Sequence, residues 1–148
     1  MAGPNPKPLV RVAAIEDAAA LATLMTQLGY PSDASQLRMR LRRAAGNPDV
    51  RVLVAESEGR ILGLIALMLF HAFVHDRPHG YITSLVVDES VRGGGAGSTL
   101  LAAGEAWFKE HGVDKATLTS HLRREAAHRF YERRGYEFNG RRYVKSLV

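Results

Sequence analysis

Residues 85–101, LVVDESVRGGGAGSTLL, set Arg92 and four glycines between an apolar run and the first turn of an amphipathic pattern. Glycine lets a backbone approach a ligand closely, and the N–H groups that open a helix lack intrahelical partners and sit at the positive end of its dipole. A strand, a glycine turn and a helix start, in that order, make a phosphate site. What the loop lacks narrows the ligand. A Walker loop ends Gly-Lys-Ser/Thr, whereas here Ser98 and Thr99 follow Gly97 without a lysine. A dinucleotide fingerprint begun at Gly93 or Gly95 needs glycine where Ser98 or Leu100 stands. A turn with no ligand needs fewer glycines.

Other chemistries are thinned by composition. The chain has no cysteine, which removes thiolate metal sites, cysteine nucleophiles and disulfides. His71, His75 and His79, with Asp76, have a four-residue spacing that gathers ligands only on a helix, and Pro78 and Gly80 oppose one, so no metal is expected. The net charge is +5 and gathers late, residues 101–148 carrying ten Lys/Arg against six Asp/Glu, which favours an anionic partner.

The elements that must position these groups follow from periodicity. At 148 residues, 46% apolar and 24% charged, the chain fits one domain over residues 1–148, with residues 1–8 (MAGPNPKP) a flexible tail. The longest apolar run, residues 61–70, is short of the ~20 residues that cross a bilayer. No signal-like stretch opens the chain, so a soluble cytoplasmic protein with no membrane partner is expected. A strand at residues 9–13 precedes a helix opened by Glu16 and Asp17, in which Ala18, Leu21, Ala22, Leu24, Met25 and Leu28 recur until Gly29, Tyr30 and Pro31 stop it. Ser32 and Asp33 cap a second helix that holds Leu37, Met39 and Leu41, shows arginines at positions 38, 40, 42 and 43, and ends at Gly46-Asn47-Pro48. Residues 50–57 and 61–70 form a hairpin about Glu58, Gly59 and Arg60, and a polar loop leads to a strand at 81–87. After the glycine loop comes a helix bearing Leu100, Leu101, Trp107 and Phe108, ended by Gly112. A strand at 115–119, a helix at 124–134 closed by Gly135, and a hairpin of 136–138 and 142–147 about Asn139-Gly140 complete the order. The class is α/β (α+β), a mixed, mostly antiparallel sheet of about seven strands flanked by about four helices.

Arg92-Gly93-Gly94-Gly95-Ala96-Gly97 after a strand resembles the Gln/Arg-x-x-Gly-x-Gly/Ala signature of the GNAT superfamily of acyl-CoA-dependent N-acetyltransferases. Arg11, Ala13 and Asp17 resemble its N-terminal strand and helix start, Leu85 and Val87 its fourth strand, and HRFYERRGY (128–136) its late helix. The resemblance implies splayed fourth and fifth strands, here 81–87 and 115–119, that make a slot for the pantetheine arm of acetyl-CoA. It implies donor contacts from the backbone of Leu85, Val86 and Val87, and from the N–H groups of Arg92, Gly93, Gly94, Gly95, Ala96, Gly97 and Ser98. Val86 N–H is then the oxyanion donor to the thioester carbonyl. Tyr131 matches the acid that returns a proton to the CoA thiolate, a phenol being protonated at neutral pH. It lies about 100° around the helix from Phe130, so the two rings do not fill one core gap.

This sequence departs from the family in three places. Thr83 stands where many members carry a glutamate base, which leaves His79, His121 or a water chain to take the acceptor's proton. Arg124 stands where an asparagine often touches pantetheine; an arginine reaches a phosphate instead, and Ser120 can supply the lost hydrogen bond. Glu89 replaces a frequent proline. The implied function is direct acetyl transfer from acetyl-CoA to a primary amine of a small-molecule or peptide acceptor in a ternary complex, no cysteine being present for an acyl-enzyme. The family's acceptor selectivity lies in the segment between the first two helices and in the loops at residues 71–80 and Asn139. Similar proteins are commonly homodimers. Two other readings compete: a GNAT-like domain that binds acyl-CoA without catalysis, and a nucleic-acid module built on Arg123, Arg124, Arg129, Arg133, Arg134, Arg141 and Arg142. These arginines lack interleaved aromatics, so nucleic acid is not expected as a partner.

Overall fold

The computed structural model describes residues 7–119 and 125–148, which fall into two compact units, one ending at Leu118 and one beginning at Thr119. Most of the expected tail, and Ser120, His121, Arg123 and Arg124, lie outside the described residues.

In the first unit five strands form one sheet in sequence order: β1 (Leu9–Val12), β2 (Val50–Ser57), β3 (Arg60–Phe70), β4 (His79–Val87) and β5 (Ala116–Leu118). The first three pairings are antiparallel and the last is parallel. The β2–β3 hairpin turns on Glu58 and Gly59, whose φ angles of 52° and 75° are the left-handed pair that a two-residue turn demands.

Helices α1 (Ala18–Leu28) and α2 (Ala34–Ala45) lie on one face of the sheet. Leu21 and Leu24 of α1 and Leu37 and Leu41 of α2 pack with Val54, Leu64 and Val86, each buried side chain contributing about 1.5–3 kcal/mol of transfer energy. Asp33 caps α2, its carboxylate accepting from Gln36 N–H at 2.8 Å while the Gln36 side chain accepts from Asp33 N–H at 2.9 Å. Helix α3 (Ala96–Glu110) covers the other face so closely that a Cβ on Gly104 would lie 3.0 Å from Leu67 and 3.1 Å from Ile65. Arg11 joins three elements: its guanidinium forks onto both Asp17 oxygens at 2.8 and 2.9 Å, and its Nε donates to Glu56 at 2.7 Å. That fork, with Ala14 N–H at 2.7 Å, holds the Asp17 carboxyl below the usual carboxylate range.

The second unit contains α4 (Glu125–Glu132), followed by Gly135 at φ +86°. The expected last hairpin is absent: among the described residues the sheet has five strands, not about seven, and residues 136–138 and 142–147 are in none. Neither Asn139 nor Gly140 takes the positive φ of a two-residue hairpin turn, in contrast to Glu58-Gly59. Phe138, Tyr143 and Leu147 are accordingly exposed. No described helix is long and apolar enough to cross a membrane.

Candidate active site

Strand β4 carries an irregularity at its centre. Ala66 of β3 pairs with Ser84 and the next residue, Leu67, with Ile82, which leaves Thr83 as the extra residue of a β-bulge. Its side chain is exposed, and its hydroxyl donates to Ala66 O at 3.2 Å. The bulge shifts the pleat by one residue. Gly80, before it, lies against Phe108 of α3, whereas Val86, after it, packs into the α1/α2 core.

The direction of the β4 backbone decides what it offers a ligand. Asp88 N–H donates to Leu62 O at 2.7 Å, and N–H groups of alternate residues in an antiparallel ladder point the same way. With Val86 in register opposite Leu64, the Val86 N–H points toward β3, while those of Leu85 and Val87 point to the opposite edge. The N–H of Val86, expected as the oxyanion donor, is thus directed into the ladder, while that of Leu85 faces the opposite edge. Among the described residues that opposite edge is unpaired over much of its length. Strand β5 pairs with only three β4 residues, Gly80, Tyr81 and Ile82, and among the described residues no strand pairs with residues 83–87 there.

Beyond β4 a braced turn delivers the glycine loop. Asp88 Oδ1 accepts from Ser90 N–H and hydroxyl, both at 3.0 Å, and Oδ2 accepts from Arg60 Nη2 at 3.0 Å. These donors, the Ser90 N–H foremost, hold the Asp88 carboxyl below the usual carboxylate range. Gln27 of α1 accepts Glu89 N–H at 3.0 Å, and Arg92 Nε donates to Val87 O at 3.2 Å. Gly93 and Gly95 then take φ angles of +87° and +91°, with no atom within 4 Å of where a Cβ would stand. Gly95 caps α3 without a side chain, and no acid occupies the first turn of α3. Buried Ala96 anchors the helix start. The Gly94 N–H is turned to Val91 O at 3.4 Å, which leaves Gly93, Gly95, Ala96 and Gly97 as the natural donors. Open space over glycines at a helix N-terminus, without an acid, fits an extended anionic ligand such as a CoA pyrophosphate.

The histidines take other places. His79 Nε2 pairs with the Thr117 hydroxyl across β4 and β5, and its ring stacks on His75 with centroids 6.0 Å apart. His71 Nε2 lies 3.5 Å from Asp49. Among the described residues no three His, Cys, Asp or Glu converge as metal ligands. His79 precedes Leu85 by six residues, roughly 17–20 Å along a strand. In the second unit Tyr131 is half-buried, edge-on to Phe130 at 5.4 Å and to Tyr136 at 6.0 Å.

Residues 15–136 match the profile of the Acetyltransferase (GNAT) family. The chain belongs to this family. It is 37% identical over 102 residues to the aminoalkylphosphonate N-acetyltransferase of Salmonella typhimurium, a match that covers 68% of this chain and 66%, just under two thirds, of that protein. It is 29% identical over 134 residues to the aminoglycoside N(6')-acetyltransferase type 1 of Stenotrophomonas maltophilia, covering 88% of this chain and 86% of that one. Among solved structures, a GNAT family acetyltransferase of Staphylococcus aureus superposes with a TM-score of 0.80 at 25% identity, over 95% of this chain and 99% of that chain. The five-stranded sheet with its helices is thus a mixed α+β GNAT-like fold.

The bulge and the Asp88–Arg60–Ser90 brace escaped the sequence reading. The bulge leaves one trace there, an apolar spacing of three between Ile82 and Leu85 where strict alternation would give two. The brace leaves none, because its partners lie 28 and 30 residues apart.

Proposed function

We propose that this chain is an acetyl-CoA-dependent N-acetyltransferase that moves an acetyl group to the primary amine of a small molecule by direct attack in a ternary complex. The observation that carries this reading is the continuity of an open β4 edge, a braced turn and a glycine cradle at the start of α3. Acetyl-CoA supplies an acetyl group activated as a thioester. The N–H groups of Gly93, Gly95, Ala96 and Gly97 hold its pyrophosphate, with Ser98 beside them and with Ser120 and Arg124 as further donors from outside the described residues. Leu85 and Val87 offer backbone groups to the pantetheine along the open edge. Leu85 N–H stabilises the charge that develops on the carbonyl oxygen, a contribution that matters most where water is excluded. Tyr131 holds the proton that the departing thiolate takes. The acceptor's ammonium proton goes to water or to His121, which lies outside the described residues. The two curated relatives, both named as N-acetyltransferases of amino compounds, support an amine acceptor.

Release of CoA thiol from acetyl-CoA tests the reading directly, because a chain without cysteine gives a thiol reagent no background. Wild type should release CoA only when an amine is present, and Tyr131→Phe should lower kcat by about a hundredfold with the KM for acetyl-CoA unchanged. Full activity of Tyr131→Phe removes Tyr131 as the acid, and amine-independent thiol release removes the ternary complex.

A further inference from the structure

Just past the bulge, β4 turns a hydroxyl onto the sheet face that carries α1 and α2. Val86 packs into the core on that face, and Ser84, two residues earlier with regular pairing between them, takes the same side, opposite Ala66 of β3. Exposure rises there as the core ends: Val86 is 2% exposed and Leu64 3%, whereas Ser84, Ala66 and Met68 are half-buried. A polar group that solvent can reach thus stands in a wall otherwise made of apolar side chains. On the α3 side of β4 the flanking residues, Ile82 and Leu85, are buried.

Thr83 and Ser84 are consecutive hydroxyl residues in different states. The Thr83 hydroxyl donates to Ala66 O at 3.2 Å. That carbonyl belongs to β3, so the Thr83 oxygen is drawn toward the β3–β4 seam and away from the outer edge of β4. The Ser84 hydroxyl makes no hydrogen bond among the described residues. Four bonds of ~1.3–1.5 Å separate its oxygen from the Leu85 nitrogen, which keeps the two within about 5 Å whatever the rotamer. The Leu85 N–H is the one that faces the edge left unpaired among the described residues. A hydroxyl with both its proton and its lone pairs available therefore sits beside a backbone donor that is itself available.

We infer that Ser84 is a catalytic residue whose hydroxyl oxygen accepts a hydrogen bond from the acceptor's nitrogen as that nitrogen attacks the thioester. This rests on the acetyltransferase reading above, which assigns the thioester carbonyl to Leu85 N–H, and deepens it. The buried α3 side of β4 leaves the Ser84 side for the approach. The nitrogen's lone pair forms the C–N bond, the carbonyl electron pair moves onto the oxygen at Leu85 N–H, and its return breaks the C–S bond. Sulfur leaves as the thiolate and takes the proton held by Tyr131, while the proton shed by nitrogen goes to water or to His121. Nitrogen gains positive charge as the C–N bond forms, so its N–H is a stronger donor in the transition state than in the bound amine. The Ser84 contact therefore raises kcat, and it fixes the direction of the lone pair.

The test follows CoA release from acetyl-CoA with 2-aminoethylphosphonate, kanamycin, spermidine and a peptide with N-terminal alanine, using for the variants whichever amine wild type acetylates fastest. Ser84→Ala should lower kcat about tenfold or more, the scale of a hydrogen bond to a group gaining charge. Its KM for acetyl-CoA and its melting temperature should stay at the wild-type values, since the side chain holds nothing else in place. Ser84→Thr keeps a hydroxyl on a side chain that suits a strand and should keep most of the rate. Thr83→Val should keep the wild-type kcat, because the Thr83 hydroxyl bonds within the sheet. Full activity of Ser84→Ala overturns the inference, as does a Ser84→Thr as slow as Ser84→Ala, or a Thr83→Val that loses as much. A Ser84→Ala defect confined to the KM for acetyl-CoA or to the melting temperature marks a structural role and overturns it too. If wild type acetylates none of the four amines, the acetyltransferase reading itself falls, a failure seen before any variant is made.

Discussion

Two residues separated by one position, Leu85 and Val86, show how much of this site is set by the backbone. Both are buried and apolar, yet their N–H groups leave β4 on opposite sides. Proline is tolerated in a strand where its missing N–H faces an unpaired edge and not where it breaks a ladder bond. Leu85→Pro should therefore stay folded while kcat falls about a hundredfold or more, the cost of losing one oxyanion donor. Val86→Pro should unfold at markedly lower temperature. Circular dichroism melts beside CoA-release kinetics check both, and equal kinetic defects in folded proteins would contradict the assignment. Side-chain type told the sequence reading that both residues belong to an interior strand. It was silent on N–H direction, which depends on pairing with β3.

At the scale of elements, the loop from Arg92 to the start of α3 has a conformation that only glycine adopts without strain at Gly93 and Gly95. A side chain at Gly95 meets no protein atom, so its cost to the fold is the left-handed backbone alone, about 1–2 kcal/mol, while it fills the space given to the donor. Gly95→Val should abolish acetyl-CoA binding by calorimetry in a protein that still folds. Gly112→Ala, at φ +77° beyond the other end of α3, bears similar strain and should bind normally; loss of binding in both would mean that strain, not the cradle, is responsible. Elements with strong local signals were legible in the sequence: α2 through Asp33, α3 through its apolar stripe, and the β2–β3 turn through Glu58-Gly59. The second hairpin about Asn139-Gly140 was not, because a turn dipeptide makes a hairpin only where its strands find a sheet to join. The glycine loop was legible because its chemistry is local.

At the scale of the whole molecule, Arg11, Asp17 and Glu56 tie the start of the chain to β2, and Asp88 ties the end of β4 to the β2–β3 hairpin through Arg60. Asp17 and Asp88 both titrate below the ordinary value of 3.8 in the folded protein. Their contribution to stability is thus fully present above that value and is lost as pH falls through their folded pKa values. Melting temperature should drop steeply below about pH 4, and Asp17→Asn, which abandons the Arg11 fork, should cost about 1–3 kcal/mol at neutral pH and flatten that acid limb. An unchanged acid limb in Asp17→Asn would show that other carboxylates govern it. The central claim, that the glycine cradle and open strand edge receive acetyl-CoA, is tested most directly by thermal unfolding with and without that ligand. At one hundred times its Kd, a ligand that binds only the folded state adds about 2.7 kcal/mol, so wild type should melt several degrees higher with acetyl-CoA while Gly95→Val does not respond. No shift of wild type at millimolar acetyl-CoA, or an equal shift in Gly95→Val, would contradict the account.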